Sequence, residues 1–400
     1  MKKYGLIGKT LVHSFSPEVH KRLGDYDYGL YNCETSADIE KLLKDESFGG
    51  FNVTIPYKKT LMEFCDRIDA DAEAIGAVNT VIRQEDGTIA GYNTDYFGFE
   101  YMLKSASIKP KGKKVLVLGK GGASQAVQAV LDKAHARETI IISRNNLEEI
   151  RNHFDSEIII NATPVGMYPA NGESLVNLDD FKNCCGIVDL VYNPHRTKLI
   201  MDGELRSIPV VGGLVMLVAQ AVKASELFTG TKFTAPGGVD DKIQEITEEI
   251  WKETQNIIYI GMPGSGKTTL GKKKAEELGR KFIDIDQLIE EEVGMTIPQF
   301  FDKVGEKRFR EIETEILRRV SKEHSLVIAT GGGVVKKKIN YQIIRQNGRV
   351  VWVKRDIDKL ATGGRPLSLA TPLEELYEER KGAYEFWSDS WEENNEDTCD

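Results

Sequence analysis

Eight residues, Gly261-Met262-Pro263-Gly264-Ser265-Gly266-Lys267-Thr268, have the types and spacing to hold a phosphate chain. Glycines let backbone N–H groups curl around phosphate oxygens. The Lys267 ammonium can reach the outer phosphates, and the Thr268 hydroxyl can ligate Mg²⁺. The elements that must position these groups flank them. Residues 256–260 (Asn-Ile-Ile-Tyr-Ile) read as a short buried strand. Residues 269–278 read as a helix, whose N-terminus adds positive potential where a phosphate would sit. Strand, glycine loop, Gly-Lys-Thr and helix together make a P-loop, so this stretch is expected to bind a nucleoside triphosphate.

A second glycine loop, Gly119-Lys120-Gly121-Gly122-Ala123-Ser124, follows an apolar strand at 114–118. Such a strand suits a parallel sheet covered on both faces. Gly119 and Gly121 fit a dinucleotide fingerprint, although its third position holds Ser124. The next strand, 139–143, runs into Arg144. An acid at that point would hold a ribose; a cation suits the 2′-phosphate of NADP. Further strands are expected at 157–161, 187–191 and 208–211, the βαβ rhythm of a doubly wound domain. Before them, strands are expected at 4–8, 50–55, 77–82 and 88–92, the last two a hairpin around Glu85-Asp86-Gly87. Ser16 and Pro17 read as the cap and first residue of a helix. A helix is expected over 216–227. Ile243, Ile246, Ile250 and Trp251 form a helical stripe, expected to dock back on the preceding domain.

A chain of 400 residues implies two or three domains. With 40% hydrophobic and 29% charged residues it reads as a soluble globular protein. The net charge of −9 argues against a nucleic-acid surface. No run approaches the ~18 apolar residues of a membrane span, and no leader is visible. Five scattered cysteines are expected to be reduced thiols in the cytoplasm. The acidic stretch 391–400 is expected to be solvated.

Over residues 1–255 the sequence resembles shikimate dehydrogenase. The resemblance is carried by His13-Ser14-Phe15-Ser16-Pro17, Asn52-Val53-Thr54-Ile55-Pro56-Tyr57-Lys58, Gly76-Ala77-Val78-Asn79-Thr80 and Asn93-Thr94-Asp95. Gly121-Gly122-Ala123-Ser124, Asn161-Ala162-Thr163-Pro164-Val165-Gly166-Met167 and Met216-Leu217-Val218-Ala219-Gln220 extend it. It implies NADPH-dependent reduction of 3-dehydroshikimate to shikimate. Hydride arriving at a carbonyl leaves charge on oxygen, which needs a proton or a cation. Lys58 can supply either, with Asp95 holding it. By resemblance, Ser14, Ser16, Thr54, Asn79, Asn93, Tyr192 and Gln220 would also hold the substrate. Gly119, Gly121, Gly122, Ala123, Ser124, Ser143, Arg144, Thr163, Val191 and Gly213 would hold the cofactor. Lys120 stands where the family usually has a small residue.

From residue 256 the chain resembles shikimate kinase, on the P-loop, Asp284-Ile285-Asp286, Phe309-Arg310-Glu311-Ile312-Glu313, Gly331-Gly332-Gly333, Gly364-Arg365-Pro366-Leu367, Arg380 and Tyr384. Asp284 and Asp286, two apart on an extended segment, would face one side. The resemblance assigns Gly261, Gly264, Ser265, Gly266, Lys267, Thr268 and Thr269 to ATP, and Thr268 and Asp284 to Mg²⁺. It assigns Asp286 to the acceptor hydroxyl, and Arg310, Arg380, Gly332 and Gly333 to shikimate. Lys267 and Arg365 would stabilise the transferring phosphoryl group.

The expectation is thus a bifunctional α/β enzyme of aromatic amino acid biosynthesis. Residues 1–100, completed by helices in 216–254, would form an α/β substrate domain. Residues 101–215 would form a Rossmann-like NADP domain, and 256–400 a P-loop, NMP-kinase-like domain. Its partners would be small molecules, with no nucleic acid and no membrane. The oligomeric state stays open.

Overall fold

The computed structural model describes residues 2–11, 14–234, 237–360 and 372–395. The chain divides into two compact units, Met1–Trp251 and Lys252–Asp400.

In the first unit, β1 (Lys3–Gly8), β2 (Asp27–Asn32), β3 (Phe48–Val53), β4 (Arg67–Ile68), β5 (Thr80–Arg83) and β6 (Ile89–Tyr92) form a sheet ordered β2-β1-β3-β5-β6-β4. β5 and β6 are the expected antiparallel hairpin, with Thr80 opposite Tyr92. β5 starts later than the sequence pattern suggests. The Val78 N–H is bonded to Lys58 O instead, which fastens this segment beside the Lys58 turn. Helices α1 (Ser16–His20), α2 (Ser36–Lys44), α3 (Ala70–Ile75) and α4 (Thr94–Ser105) accompany the sheet. Ser16 does not cap α1, as its sequence context suggested. It is the first helical residue, and its N–H donates to Ser14 Oγ at 3.2 Å. Every residue of β3 is buried, including polar Asn52. That amide is satisfied: Tyr28 Oη donates to its Oδ1 (2.8 Å), and its Nδ2 donates to Thr80 Oγ1 (3.0 Å).

The second sheet is wholly parallel: β7 (Lys114–Leu118), β8 (Glu138–Ile142), β9 (Ile158–Asn161), β10 (Gly186–Asp189) and β11 (Val210–Gly212), ordered β11-β10-β9-β7-β8. α5 (Gly122–Lys133) and α6 (Lys198–Glu204) belong to its crossovers. Strand order reverses between β7 and β9, and ligands of such sheets bind beyond the carboxyl ends of strands at that point. The loop after β7 is the Gly119 loop.

α7 (Gly213–Thr229) and α8 (Gly238–Thr254) follow. Ile243, Ile246 and Ile250 of α8 are fully buried against Leu214, Val218 and Val222 of α7 and Val19 of α1. The apolar stripe therefore packs back on the first unit, because a solvated helix would expose three isoleucines to water. Opposite, Met216 of α7 joins Phe99 and Met102 of α4 under the second sheet.

The second unit is one parallel sheet: β12 (Asn256–Ile260), β13 (Phe282–Asp284), β14 (Val327–Ala329), β15 (Gly348–Lys354) and β16 (Ser390–Glu393), ordered β13-β14-β12-β15-β16. Its helices are α9 (Lys267–Leu278), α10 (Ile285–Val293), α11 (Ile297–Val320), α12 (Lys338–Arg345) and α13 (Leu373–Trp387). The expectation that 391–400 is a solvated tail is corrected for its first residues. Trp391, Glu392 and Glu393 lie in β16, paired parallel with β15. An edge strand needs one hydrogen-bonding neighbour, and its charged side chains discourage a second. Residues 396–400 lie outside those described.

Candidate active sites

In the first unit, Lys58 Nζ pairs with Asp95 Oδ2 at 2.5 Å, the side chains 14% and 10% exposed. Lys58 sits on the turn beyond β3 and Asp95 in the first turn of α4. Asn93 is the N-cap of α4: its Oδ1 accepts the N–H groups of Asp95 (3.1 Å) and Tyr96 (3.4 Å), and its Nδ2 donates to Ala77 O (2.8 Å). Asn79 is likewise committed. Its Oδ1 accepts the Thr94 N–H (2.7 Å), and its Nδ2 donates to Thr94 Oγ1 (3.1 Å). Thr94 Oγ1 in turn reaches Gln220 Oε1 at 3.3 Å, which joins α7 to the group. Sequence reasoning missed Thr94, although it lies inside the quoted Asn-Thr-Asp triplet.

The Ser14 and Ser16 hydroxyls pair with each other at 3.1 Å. Between them in sequence, Phe15 lies 5.5 Å from the Tyr192 ring, centroid to centroid, so the start of α1 meets the loop after β10. The Thr54 N–H donates to Ile7 O (2.9 Å) at the end of β1. The nucleotide loop closes this space. A Cβ on Gly122 would stand 3.6 Å from Lys58 Cδ, so the N-terminus of α5 abuts the lysine.

That N-terminus has features an anion would need. Gly121 caps α5 with no side-chain hydrogen bond, and among the described residues nothing beyond its chain neighbours lies within 4 Å of where its Cβ would be. Gly119 adopts φ +116°, and a Cβ there would lie 2.7 Å from Ala162 O, so only glycine turns here this close to the loop after β9. Ala123 and Ser124 complete the first turn, and Ser124 Oγ accepts from Gln128 Nε2 (3.2 Å). Ser143 Oγ donates to Asn146 Oδ1 (2.8 Å). Arg144 is exposed and makes no ion pair with the described residues. An uncapped helix start and an unpaired cation at the carboxyl edge fit NADPH. Thr163 and Val191 lie just beyond β9 and β10, and Gly213 opens α7.

In the second unit the P-loop joins β12 to α9. Gly266, at φ +93°, precedes α9 without a side-chain cap, and the Ser265 hydroxyl is buried without a partner among the described residues. Gly261 and Gly264 also have positive φ, and Thr269 lies in the first turn of α9. Lys267 Nζ donates to Gly261 O (3.0 Å) and Met262 O (2.8 Å), curling back over the loop. Thr268 Oγ1 donates to Asp284 Oδ2 at 2.8 Å. A phosphate chain would fit this cradle, and both oxygens are of the type Mg²⁺ prefers.

Asp284 and Asp286 do not share an extended segment. Asp284 ends β13 and caps α10, accepting the Asp286 N–H at 3.0 Å, while Asp286 is already helical. A strand-to-helix turn, rather than strand alternation, places the two carboxylates.

Around Gly331-Gly332-Gly333 the chain packs closely: Gly332 lies against the Pro263 ring and backbone, while Gly331 and Gly333 lie against the tips of charged side chains. Cβ atoms there would lie 2.7 Å from Asp286 Oδ1 and 2.9 Å from Glu313 Oε1, 2.6 Å from Pro263, and 2.0 Å from Arg310 Nη2, respectively. The triplet thus gathers Asp286, Arg310 and the P-loop. Arg310 is 6% exposed, and its Nη1 donates to both oxygens of Glu313 (3.0 and 2.9 Å). Burial, reinforced by Asp286, pushes Glu313 up to about 7 against the pull of Arg310. Glu313 was missed as a site residue, although its i,i+3 spacing from Arg310 was in plain view. Arg380 is 2% exposed. Its Nη1 donates to Gly332 O (3.1 Å), as does Tyr384 Oη (2.5 Å). Arg380 Nε and Nη2 are buried without a partner among the described residues. Arg365 lies outside those residues.

Fold and sites define a nicotinamide-dependent dehydrogenase joined to a P-loop phosphotransferase. Residues 6–81 match the family model "Shikimate dehydrogenase substrate binding domain", and 263–399 match "Shikimate kinase". The chain is 38% identical to the "Shikimate dehydrogenase (NADP(+))" of Clostridium perfringens over 280 residues, 63% of this chain and 98% of the relative. Among solved structures, shikimate dehydrogenase 1 from Peptoclostridium difficile is 36% identical with a TM-score of 0.56, covering 62% of this chain and 99% of that one. A chorismate mutase/shikimate 5-dehydrogenase fusion protein from Clostridium acetobutylicum is 34% identical with a TM-score of 0.55, covering 62% and 98%. The chain belongs to the shikimate dehydrogenase family and carries a shikimate kinase domain behind it. It is a bifunctional enzyme of the shikimate pathway.

Proposed function

We propose that the first unit reduces the ketone of 3-dehydroshikimate with NADPH, and that the second phosphorylates shikimate at its 3-hydroxyl with Mg²⁺ and ATP. The observation that supports the first half best is the Lys58–Asp95 pair lying against the start of α5. NADPH, when bound, supplies the hydride. Lys58 Nζ holds the carbonyl oxygen and gives it a proton, while Asp95 keeps the ammonium aimed. Ser14, Ser16, Thr54, Tyr192 and Gln220 bind the hydroxyls and carboxylate. Asn79 and Asn93, whose amides hold α4, act chiefly by shaping that pocket. In the second unit Lys267 holds phosphate oxygens, and Thr268 and Asp284 hold the metal. Asp286 orients the acceptor hydroxyl. Arg310 and Arg380 grip the carboxylate of shikimate, for which the two unpartnered nitrogens of Arg380 are suited. Residues 1–100 with 216–254, 101–215 and 256–400 serve as substrate, NADP and kinase domains. The test is to assay the purified full chain for NADPH oxidation with 3-dehydroshikimate and for shikimate-dependent ADP formation. Absence of either activity removes that half of the reading.

Three consequences are specific. Arg144→Ala should weaken NADPH binding by about 1.5–3 kcal/mol, the scale of a hydrogen bond to a charged group, and leave NADH binding nearly unchanged. Equal losses for the two cofactors, measured by titration, would exclude a 2′-phosphate contact. Arg310→Ala should raise the kinase KM for shikimate about tenfold or more and lower kcat less, because a carboxylate grip is made already in the ground state. A fall in kcat at constant KM would place Arg310 in the transition state instead. For Arg365, which lies outside the described residues, the sequence predicts the reverse pattern, a kcat effect, because a charge acting on the transferring phosphoryl group is felt in the transition state.

A further inference from the structure

Three of the residues assigned to the cofactor, Thr163, Val191 and Gly213, lie at the ends of three different strands, and the packing ties them to one buried carboxylate. Asp189, the last residue of β10, is fully buried. Its Oδ1 accepts from Asn161 Nδ2 (2.9 Å) and from the Val191 N–H (3.0 Å). Its Oδ2 accepts from Thr197 Oγ1 (2.6 Å). From Asn161 the chain of bonds runs on. Asn161 Oδ1 accepts both the N–H (3.1 Å) and the hydroxyl (2.6 Å) of Thr163, and Asn161 Nδ2 also donates to Val165 O (3.1 Å). From Val191 it runs to Gly213, whose N–H donates to Val191 O (3.1 Å). Gly213 is seated against the same loop: a Cβ there would lie 2.2 Å from Leu190 O.

None of the three donors to Asp189 is a cation. A buried carboxylate without a counter-charge is costly, and burial pushes this one up to about 6. An apolar side chain would serve packing alone at less cost. What the carboxylate adds is direction. An acceptor with two oxygens can fix the amide of Asn161 in one orientation, Nδ2 toward β10 and Oδ1 toward Thr163, which an apolar residue cannot.

The geometry points to Asp189 as the positioning residue of the NADPH site: it sets the Asn161 amide, and through it the 161–165 loop, and it anchors Val191 and Gly213. This rests on the reading that Thr163, Val191 and Gly213 face the cofactor. It touches no substrate and no reacting atom.

The test uses the full chain with three variants. Asp189→Leu keeps the branching at Cγ, adds some volume and removes the acceptors. Asp189→Asn keeps one oxygen for Asn161 and Val191 and can donate to Thr197. Thr163→Ala probes the cofactor reading itself. The Kd for NADPH is measured by its fluorescence, and the KM for 3-dehydroshikimate by turnover. Asp189→Leu is expected to raise the NADPH Kd about tenfold or more, the scale of one lost hydrogen bond to a charged group, with the 3-dehydroshikimate KM within about twofold. Asp189→Asn should return most of the NADPH affinity. Should Asp189→Leu not fold, Asn161→Ala cuts the same chain one link further on and is expected to give the same split. Parallel loss of cofactor and substrate affinity, or no rescue by Asp189→Asn, would reduce Asp189 to a structural role and overturn the inference. If Thr163→Ala weakens NADPH binding while Asp189→Leu and Asn161→Ala do not, the inference fails and the cofactor reading stands. If none of them alters NADPH binding, the cofactor reading fails with it.

Discussion

Lys58→Ala is expected to lower dehydrogenase kcat by ~10²–10⁴-fold, the usual worth of a positioned proton donor or of a cation at a developing oxyanion. NADPH binding should change far less, because Lys58 meets α5 through its aliphatic stem, near Gly122, rather than through its charge. The ammonium is held by Asp95 in a nearly closed space, where it has little freedom to point elsewhere. Removing it leaves the Asp95 carboxylate, 10% exposed, without its cation. The variant should therefore also lose stability, on the scale of ~3–5 kcal/mol for a fully buried pair and less here because both groups keep some water. Stopped-flow reduction of 3-dehydroshikimate, with an NADPH titration alongside, separates the two effects. A variant within a few-fold of wild type would remove Lys58 from the chemistry.

Lys267→Ala should cost the kinase ~10²–10³-fold or more in kcat, as expected when a preorganised charge on the transferring phosphoryl group is deleted. The lysine also ties the P-loop to itself through Gly261 O and Met262 O, so ATP affinity should fall as well. Ketone reduction should survive. Lys58, Asp95 and the Gly119 loop all belong to the first compact unit, and no residue assigned to reduction lies beyond Trp251. Measuring both activities on one preparation decides the matter. If reduction is lost too while the variant stays folded, the two activities are coupled.

The strands with the strongest local signals were legible, whereas β2, β4, β14 and β15 were not read from the sequence. Residues 256–260 and 114–118 are short apolar runs ending in glycine loops, and the structure makes β12 and β7 of the same residues. Strand and helix ends were less legible. Ser16 looked like a cap from its type and the following proline, yet it is already helical, and its own N–H donates to Ser14 Oγ. Asp284 and Asp286 looked like strand alternation. Residue type says little about where a strand gives way to a helix, and Asp284 is itself the cap that makes the change. β16 was missed because an acidic segment near the end of the chain carries no apolar pattern, and its pairing is supplied by β15.

What the sequence determined by itself is the chemistry that lies within a few consecutive residues: two glycine loops opening helices, the Gly-Lys-Thr of one and the cation one strand beyond the other. These follow from local backbone preference and need no distant partner. Only the tertiary structure decided which distant groups complete each site. It brought Asp95 to Lys58, Gln220 to Thr94, and Glu313 and Arg380 to the Gly331-Gly332-Gly333 turn. It also tied the ends of β9 and β10 to Asp189 and, through Val191, that of β11. Four of these contacts span 28 or more residues. They arise from the register of the sheets and the packing of α4, α7 and α13, where burial leaves each polar group to find its partner across the core.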